Sequence, residues 1–564
     1  FAFQALLPSR QGLTLAENKI RERQTVAKAF DWNFGDMLDA LGEVLGDDAP
    51  ALIHGDRVIS WPEMTARSNR LARNLRNMGA KTGDKAGFYL RNQPEYTEAL
   101  AACFKGRLTH VNVNYRYLDD ELVYIFENSD STVVFYDVEF IEQVDRVRAR
   151  LPNVVAWVQI GGDSVPDYAV AYEALASNGD ASPLGIERSG DDMLFLYTGG
   201  TTGMPKGVMW SHGIWRQAGM DGVAKAGGVV PKDLAEHVAN ALELGRHARI
   251  IPACPLMHGT GLFTAMGVLL NGGTIVTLTE NKNFSPQNLW ETVERNGVTN
   301  MAIVGDAFGK PMLKELEENP GKYDLSTVVA IVSSGVMWSV EIKRGLLKHM
   351  PQAAMMDSFG ASEAVGFGSS AMTADGEVKT SKFELGPNCK VFSEDHREIQ
   401  PGSGEAGFVA RGGAVPLGYY KDPEKTAKTF PTINGMRYSI PGDWCTVEAD
   451  GSMTLLGRGS NCINTAGEKV YPEEVEEALK MHDAVRDALV VGLPDDKWGQ
   501  AVTAVVSLDG EVSEEDLRAF VATKIARFKS PKRIFFKPDL GRAVNGKADY
   551  KTIKAFAETQ AGKT

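Results

Sequence analysis

Along this chain, short apolar runs of strand length alternate with longer segments whose apolar residues recur at helical spacing. Residues 51–61 read as a β-hairpin turning at Gly55-Asp56. Pro62 then opens a helix whose Met64, Leu71, Leu75 and Met78 fall near one face. Further short strands are predicted at 86–90, 111–113, 133–136, 194–197, 301–304 and 328–332, with helical segments between them. This alternation predicts an α/β protein, with a large N-terminal domain of mostly parallel sheets flanked by helices. No internal repeat or low-complexity tract interrupts it.

Near Gly457 the pattern changes. The run Gly457-Arg458-Gly459-Ser460-Asn461 is small, polar and flexible, as a hinge should be. Beyond it Pro472 opens a helix with Glu473, Glu474, Glu476 and Glu477 in its first turns, where negative charge meets the positive end of the helix dipole. Strands are predicted at 488–491 and 502–508. Ser513 with Asp516 makes a capping-box-like start for a helix carrying Leu517, Phe520, Val521 and Ile525. The last hundred or so residues are therefore expected to form a small, mobile α+β domain. The resulting division is an N-terminal extension at 1–33, a large domain at 34–459 and a small domain at 460–564.

A chain of 564 residues is too long for one compact core, in line with that division. Apolar residues make up 43% and charged residues 24%, so a folded globular protein is expected. The formal net charge of −13 argues against nonspecific nucleic-acid binding, which needs basic patches. It leaves a locally positive anion site open. The five cysteines are scattered without a CxxC pair and read as reduced thiols of a cytoplasmic protein. The nine histidines show no metal-ligand spacing. No stretch reaches the ~18 apolar residues of a transmembrane helix, and no secretory pattern stands at the start.

The strongest local signal is residues 197–208, Tyr-Thr-Gly-Gly-Thr-Thr-Gly-Met-Pro-Lys-Gly-Val, directly after a predicted strand. Its four glycines let backbone N–H groups approach an anion. Thr198, Thr201 and Thr202 add hydroxyl donors and Lys206 adds a point charge. It is not a P-loop of the Walker A kind. Pro205 stands where a glycine should precede the lysine, and Gly207 follows where Ser or Thr is needed.

This segment resembles the phosphate-binding motif of the adenylate-forming superfamily, which holds acyl-CoA synthetases, peptide-synthetase adenylation domains and luciferases. Further matches follow in that family's order, from about residue 34 to about residue 555. Residues 357–363, Asp-Ser-Phe-Gly-Ala-Ser-Glu, resemble its aromatic-Gly-x-Thr-Glu motif. The resemblance places the Phe359 ring beside adenine, with Asp357, Ser358 and Gly360 also in the nucleotide site, the Ser362 hydroxyl at phosphate, and Glu363 on Mg²⁺, with Thr201 as a second metal contact. A carboxylate suits Mg²⁺, which takes one or two of them plus phosphate oxygens. Taken alone, Glu363 reads as an ordinary exposed loop residue; only the series of motifs favours the metal role. Gly442-Asp443 and Gly457-Arg458 are similar to the pairs that grip the ribose, where a carboxylate accepts from both hydroxyls. Pro441-Gly442-Asp443 is also ordinary turn chemistry.

Residues 463–476 match the family's segment after the hinge, so that Gly467 would approach pantetheine and Ser460 would be the pivot. Lys547, in Gly546-Lys547, resembles the family's C-terminal catalytic lysine. Residues 256–261, Leu-Met-His-Gly-Thr-Gly, resemble the lining of the acyl and pantetheine passage, with His258 steering or gating and Gly261 beside it. A satisfied, half-buried histidine is the alternative. Ser333 to Met337 sits where relatives have a small-residue loop, bringing Gly335 beside adenine and Val336 and Met337 to the acyl pocket. Departures include Gly199 for a usual Ser, Ser362 for Thr, Ser460 for Asp or Lys, and Asn464 for Lys.

The resemblance therefore implies an AMP-forming acyl-CoA synthetase using ATP, Mg²⁺ and coenzyme A. In that reading Thr198, Gly199, Gly200, Thr201, Thr202, Gly203 and Lys206 hold the phosphates, and Thr198, His258, Glu363 and Lys547 are catalytic. The post-hinge segment looks most like the bacterial branch acting on fatty and bulky, including steroid side-chain, acids. Relatives are monomers or homodimers. The competing readings are an adenylating enzyme that loads a carrier protein and a nucleotide-binding regulator without turnover.

Overall fold

The computed structural model describes residues 32–562 apart from 199–203, 337, 377–381, 459–462, 466–467, 496–498, 526 and 543–547. The described residues fall into two compact units, those within Phe1–Val378 and Gly412–Ser439 and those within Lys379–Arg411 and Ile440–Thr564.

In the first unit the expected hairpin forms from Pro50–His54 and Arg57–Ser60, with Gly55 in the left-handed region at its turn. Ser60 then caps the helix Trp61–Asn77, its hydroxyl accepting from the Glu63 N–H, with Pro62 in the first turn. Met64, Leu71 and Leu75 are buried on the face that the spacing predicts. The hairpin begins a sheet whose spatial order continues Thr274–Thr277, Arg249–Pro252, Asn300–Ile303, Ala330–Ser334, Ala354–Ala361 and Ala364–Met372. Pairings from Pro50–His54 to Ala354–Ala361 are parallel and the last is antiparallel. A second sheet runs Gly418–Tyr419, Lys206–Ser211, Met193–Thr198, Thr109–Asn112, Lys85–Tyr89, Ser131–Asp137, Ala156–Ile160 and Ala169–Ala171. Its first two pairings are antiparallel and the rest parallel. Helices such as Pro94–Gly106 and Pro286–Asn296 connect the parallel strands, as crossover connections require.

One strand is displaced from its expected place. The run 328–332 is predicted to be extended, but the strand is Ala330–Ser334. Its register is set by pairing of Ala330 with Asn300; Val329 lies just before the first pair, donating to the Thr299 carbonyl at 2.8 Å, and is 42% exposed. At the other end of the unit, Trp32 and Asn33 already belong to the core. Asn33 makes a capping box with Asp36 and donates to the Phe104 carbonyl, while the Arg216 guanidinium lies over the Trp32 ring.

In the second unit one antiparallel sheet contains Lys382–Leu385, Ser452–Arg458, Asp443–Val447, Ala406–Gly412 and Cys389–Phe392. Another contains Glu468–Val470, Ile463–Thr465, Gly499–Leu508 and Val485–Asp495, with Arg533–Phe536 parallel to Gly499–Leu508. Helices Pro472–Lys480, Glu514–Lys524 and Tyr550–Ala561 pack on it. Ser513 accepts from the Asp516 N–H as its spacing predicts, and Leu517 and Val521 face the core. The α/β architecture read from the alternation is the one observed, with an α+β segment at the C-terminal end.

Candidate active site

The phosphate-loop sequence closes a hairpin between Met193–Thr198 and Lys206–Ser211, with Thr198 directly opposite Lys206. The two residues therefore stand side by side at the mouth of the loop. Gly199, Gly200, Thr201, Thr202 and Gly203 lie outside the described residues. Gly207 is required by sterics: a Cβ there would come within 2.7 Å of the Tyr197 ring. The Tyr124 hydroxyl donates to the Pro205 carbonyl at 3.0 Å, and the Tyr197 hydroxyl to Asn128 at 2.7 Å. Lys206 opens a β-strand, not a helix, which separates this loop from a P-loop structurally as well as in sequence. Its ammonium is ion-paired with Asp422. That hydrogen bond holds the Asp422 carboxyl below its ordinary range.

The second motif is also a hairpin. Strands Ala354–Ala361 and Ala364–Met372 pair with Ala361 opposite Ala364, so Ser362 and Glu363 form its two-residue tip. Glu363 is only 8% exposed, which excludes the reading of an ordinary solvated loop residue. A buried carboxylate is costly unless hydrogen-bonded. Here the Tyr419 hydroxyl donates to Oε1 at 2.6 Å, and the Trp210 indole N–H donates to the Ser362 carbonyl at 2.9 Å. Both donors come from the second sheet, which therefore positions the tip from the side. Among the described residues no group of three or more His, Cys, Asp or Glu side chains could form a metal cage. Glu363 fits Mg²⁺ as a single carboxylate completed by phosphate oxygens. Asp357, in contrast, turns inward. Its carboxylate is paired with the buried Lys343 and accepts from Ser370, while burial pushes its pKa up against the pull of that ammonium. Ser358 lies opposite Ser369, the Phe359 ring lies 5.3 Å from that of Phe367, and Gly360 precedes the tip.

His258 is the N-cap residue of the helix Gly259–Leu269 and is half-buried. Gly261 must be glycine, since a Cβ would meet the Pro255 carbonyl oxygen at 2.5 Å. The segment before the helix is clamped by two asparagines that the sequence reading did not single out. Asn92 accepts from the Leu256 N–H at 2.7 Å and donates to the Pro252 and Cys254 carbonyls. Asn112 accepts from the Tyr197 N–H at 2.6 Å and donates to the Tyr197 and Met257 carbonyls. One buried amide thus ties the strand entering the phosphate loop to the residue preceding His258. Asn112→Leu is expected to strand these groups and lower stability by ~2–4 kcal/mol. Equilibrium urea unfolding measures it, and an unchanged midpoint would contradict the clamp. Gly335, at φ +88°, ends the strand Ala330–Ser334. Val336 is half-buried against the core, and Met337 lies outside the described residues.

In the second unit Asp443 is 8% exposed and pairs across the strands with the Arg458 backbone. Gly442 and Gly457 both have positive φ, at +106° and +107°. The Arg458 side chain, Ser460, Gly467 and Lys547 lie outside the described residues. The chain on either side of 543–547 is fastened within this unit. Arg542 grips Asp487 through two bonds of 2.6 and 2.9 Å, and the Tyr550 hydroxyl donates to the buried Glu476 at 2.9 Å.

Comparison with known proteins matches residues 43–420 to the AMP-binding enzyme family and residues 474–547 to the AMP-binding enzyme C-terminal domain. The chain belongs to the AMP-binding enzyme family. It is 42% identical over 520 residues to a 3-oxocholest-4-en-26-oate–CoA ligase of Rhodococcus rhodochrous, covering 89% of this chain and 92% of the relative. A medium/long-chain-fatty-acid–CoA/3-oxocholest-4-en-26-oate–CoA ligase of Mycobacterium marinum is 38% identical over 528 residues, covering 91% of this chain and 94% of that one. Among solved structures, an anthranilate CoA ligase in complex with anthranoyl-AMP superposes with a TM-score of 0.81 at 21% identity, covering 95% of this chain and all of that one, a likeness of fold. No helix among the described residues of this AMP-binding enzyme is long and apolar enough to cross a membrane.

Proposed function

We propose that this AMP-binding enzyme is a cytoplasmic, AMP-forming acyl-CoA synthetase for medium- or long-chain fatty acids or bulky acids of the steroid side-chain kind. It would convert acid, ATP and CoA to acyl-CoA, AMP and pyrophosphate, as a monomer or homodimer. The observation that supports this reading most is Glu363, a buried carboxylate on a hairpin tip held by Tyr419, in the same unit as the Thr198–Lys206 loop mouth. The substrate class is suggested by the names of the Rhodococcus and Mycobacterium relatives.

The substrate carboxylate oxygen attacks the α-phosphorus of ATP, the α–β anhydride bond breaks, and pyrophosphate leaves. No protein nucleophile is needed, so the chain's contribution is positioning and charge stabilisation. Thr198, the loop 199–203 and Lys206 hold the phosphates. Asp443 and Arg458 take the ribose, and Phe359, Gly360 and Gly335 flank the adenine. Glu363 and Thr201 would hold the Mg²⁺ carried by the nucleotide, which would neutralise phosphate charge there. Lys547 bridges the carboxylate and α-phosphate in one pose of a C-terminal domain that turns about Ser460. In the other pose Gly467 meets the pantetheine arm, whose thiol attacks the acyl carbon and releases AMP. His258 and Gly261 line that passage, and Val336 and Met337 contact the acyl group.

Carboxylate-dependent ATP–pyrophosphate exchange across short, medium, long, aromatic and steroid side-chain acids tests the reading, with CoA thioesters identified by mass spectrometry. Exchange and thioester with a medium, long or steroid side-chain acid is the expected result. Exchange without a CoA thioester would point to a carrier-protein acceptor. ATP binding without exchange for any acid would favour a regulator.

A further inference from the structure

The strand Lys206–Ser211 is edged by a second segment, 417–422, whose backbone is locked to it. The Leu417 N–H donates to the Met209 carbonyl at 2.9 Å and the Tyr420 N–H to the Gly207 carbonyl at 2.8 Å. Past that register Lys421 adopts a left-handed φ of +56°. Its ammonium is held by Asp130 at 2.7 Å, beside the Tyr420 hydroxyl on the same carboxylate. The turn directs Asp422 back towards Lys206. One Asp422 oxygen caps the helix Pro423–Thr429 by accepting from the Lys425 N–H at 2.9 Å, and the other takes the Lys206 ammonium. The two charges are 24% and 41% exposed as side chains, so their pairing is weak enough to be exchanged.

We propose that Asp422 is the resting counter-ion of Lys206, a positioning residue that competes with polyphosphate for the ammonium and so weakens the hold on both ATP and pyrophosphate. This rests on the reading of Lys206 as a phosphate ligand. A polyphosphate must displace the carboxylate to use Lys206, so each affinity is lowered by the free energy of the pair. Asp422 touches no reacting atom. In the same segment the Tyr419 hydroxyl holds Glu363, so one strap orders the charges of both motifs.

Asp422→Asn keeps the helix cap and removes the charge. Steady-state kinetics of this variant are expected to show KM for ATP and the product-inhibition constant for pyrophosphate both lowered about two- to fivefold, with kcat nearly unchanged. Asp422→Ser, which caps but is too short to reach, should do the same. Both effects should vanish in a Lys206→Ala background. An unchanged KM, or a raised KM in both backgrounds together with a lower melting temperature, would overturn the proposal and leave Asp422 as a helix cap only. Lys206→Ala that leaves ATP affinity intact would instead remove the phosphate-ligand reading of Lys206, and the counter-ion role with it.

Discussion

Lys547→Ala is expected to lower carboxylate-dependent ATP–pyrophosphate exchange by about a hundred- to a thousandfold. The same variant should still make acyl-CoA from supplied acyl-AMP and CoA at close to the wild-type rate. The first half-reaction gathers negative charge between the carboxylate and the α-phosphate, and an ammonium aimed there lowers the barrier only in that step. The second half-reaction attacks an acyl group already activated. The chain either side of 543–547 is anchored by Arg542 on Asp487 and Tyr550 on Glu476. Equal loss of both half-reactions would refute separate poses for the two steps. Unaltered exchange would remove Lys547 from the mechanism.

Glu363→Gln should cost a similar hundred- to thousandfold in exchange rate, because an amide cannot supply the anionic oxygen that Mg²⁺ prefers. The loss should be partly relieved by raising Mg²⁺ concentration if metal affinity is what has been weakened. Tyr419→Phe separates support from ligation. It leaves the Glu363 charge in place and removes only the 2.6 Å hydroxyl contact, so about a tenfold loss is expected, in line with one hydrogen bond to a charged group. A Glu363→Gln enzyme with normal exchange at low Mg²⁺ would eliminate the metal role. A Tyr419→Phe loss as large as that of Glu363→Gln would mean that the hairpin tip had collapsed.

Much of this protein is legible in its order of residues, and the legible parts share a short range. The turn at Gly55-Asp56, the helix start at Pro62, the Ser513 cap and the buried stripe of Met64, Leu71 and Leu75 arise from contacts within a few positions. The phosphate loop is visible for the same reason, since its glycines, threonines and lysine are consecutive. Tyr419 and Asp422 carried no such signal. Their partners Glu363 and Lys206 are 56 and 216 positions away. Asn112 likewise gains its meaning from Met257, 145 positions on. Even the strand edge at 328–332 was shifted by pairing, because two valines favour extension without choosing a register.

Hydrophobic period, capping and loop composition thus specify the alternating elements and the kinds of charge available for chemistry. Whether Glu363 is solvated or buried, and which counter-ion meets Lys206, depend on which strands become neighbours. Parallel strands are joined through long crossovers, so neighbours in the sheet are distant in sequence and local pattern holds no record of their order.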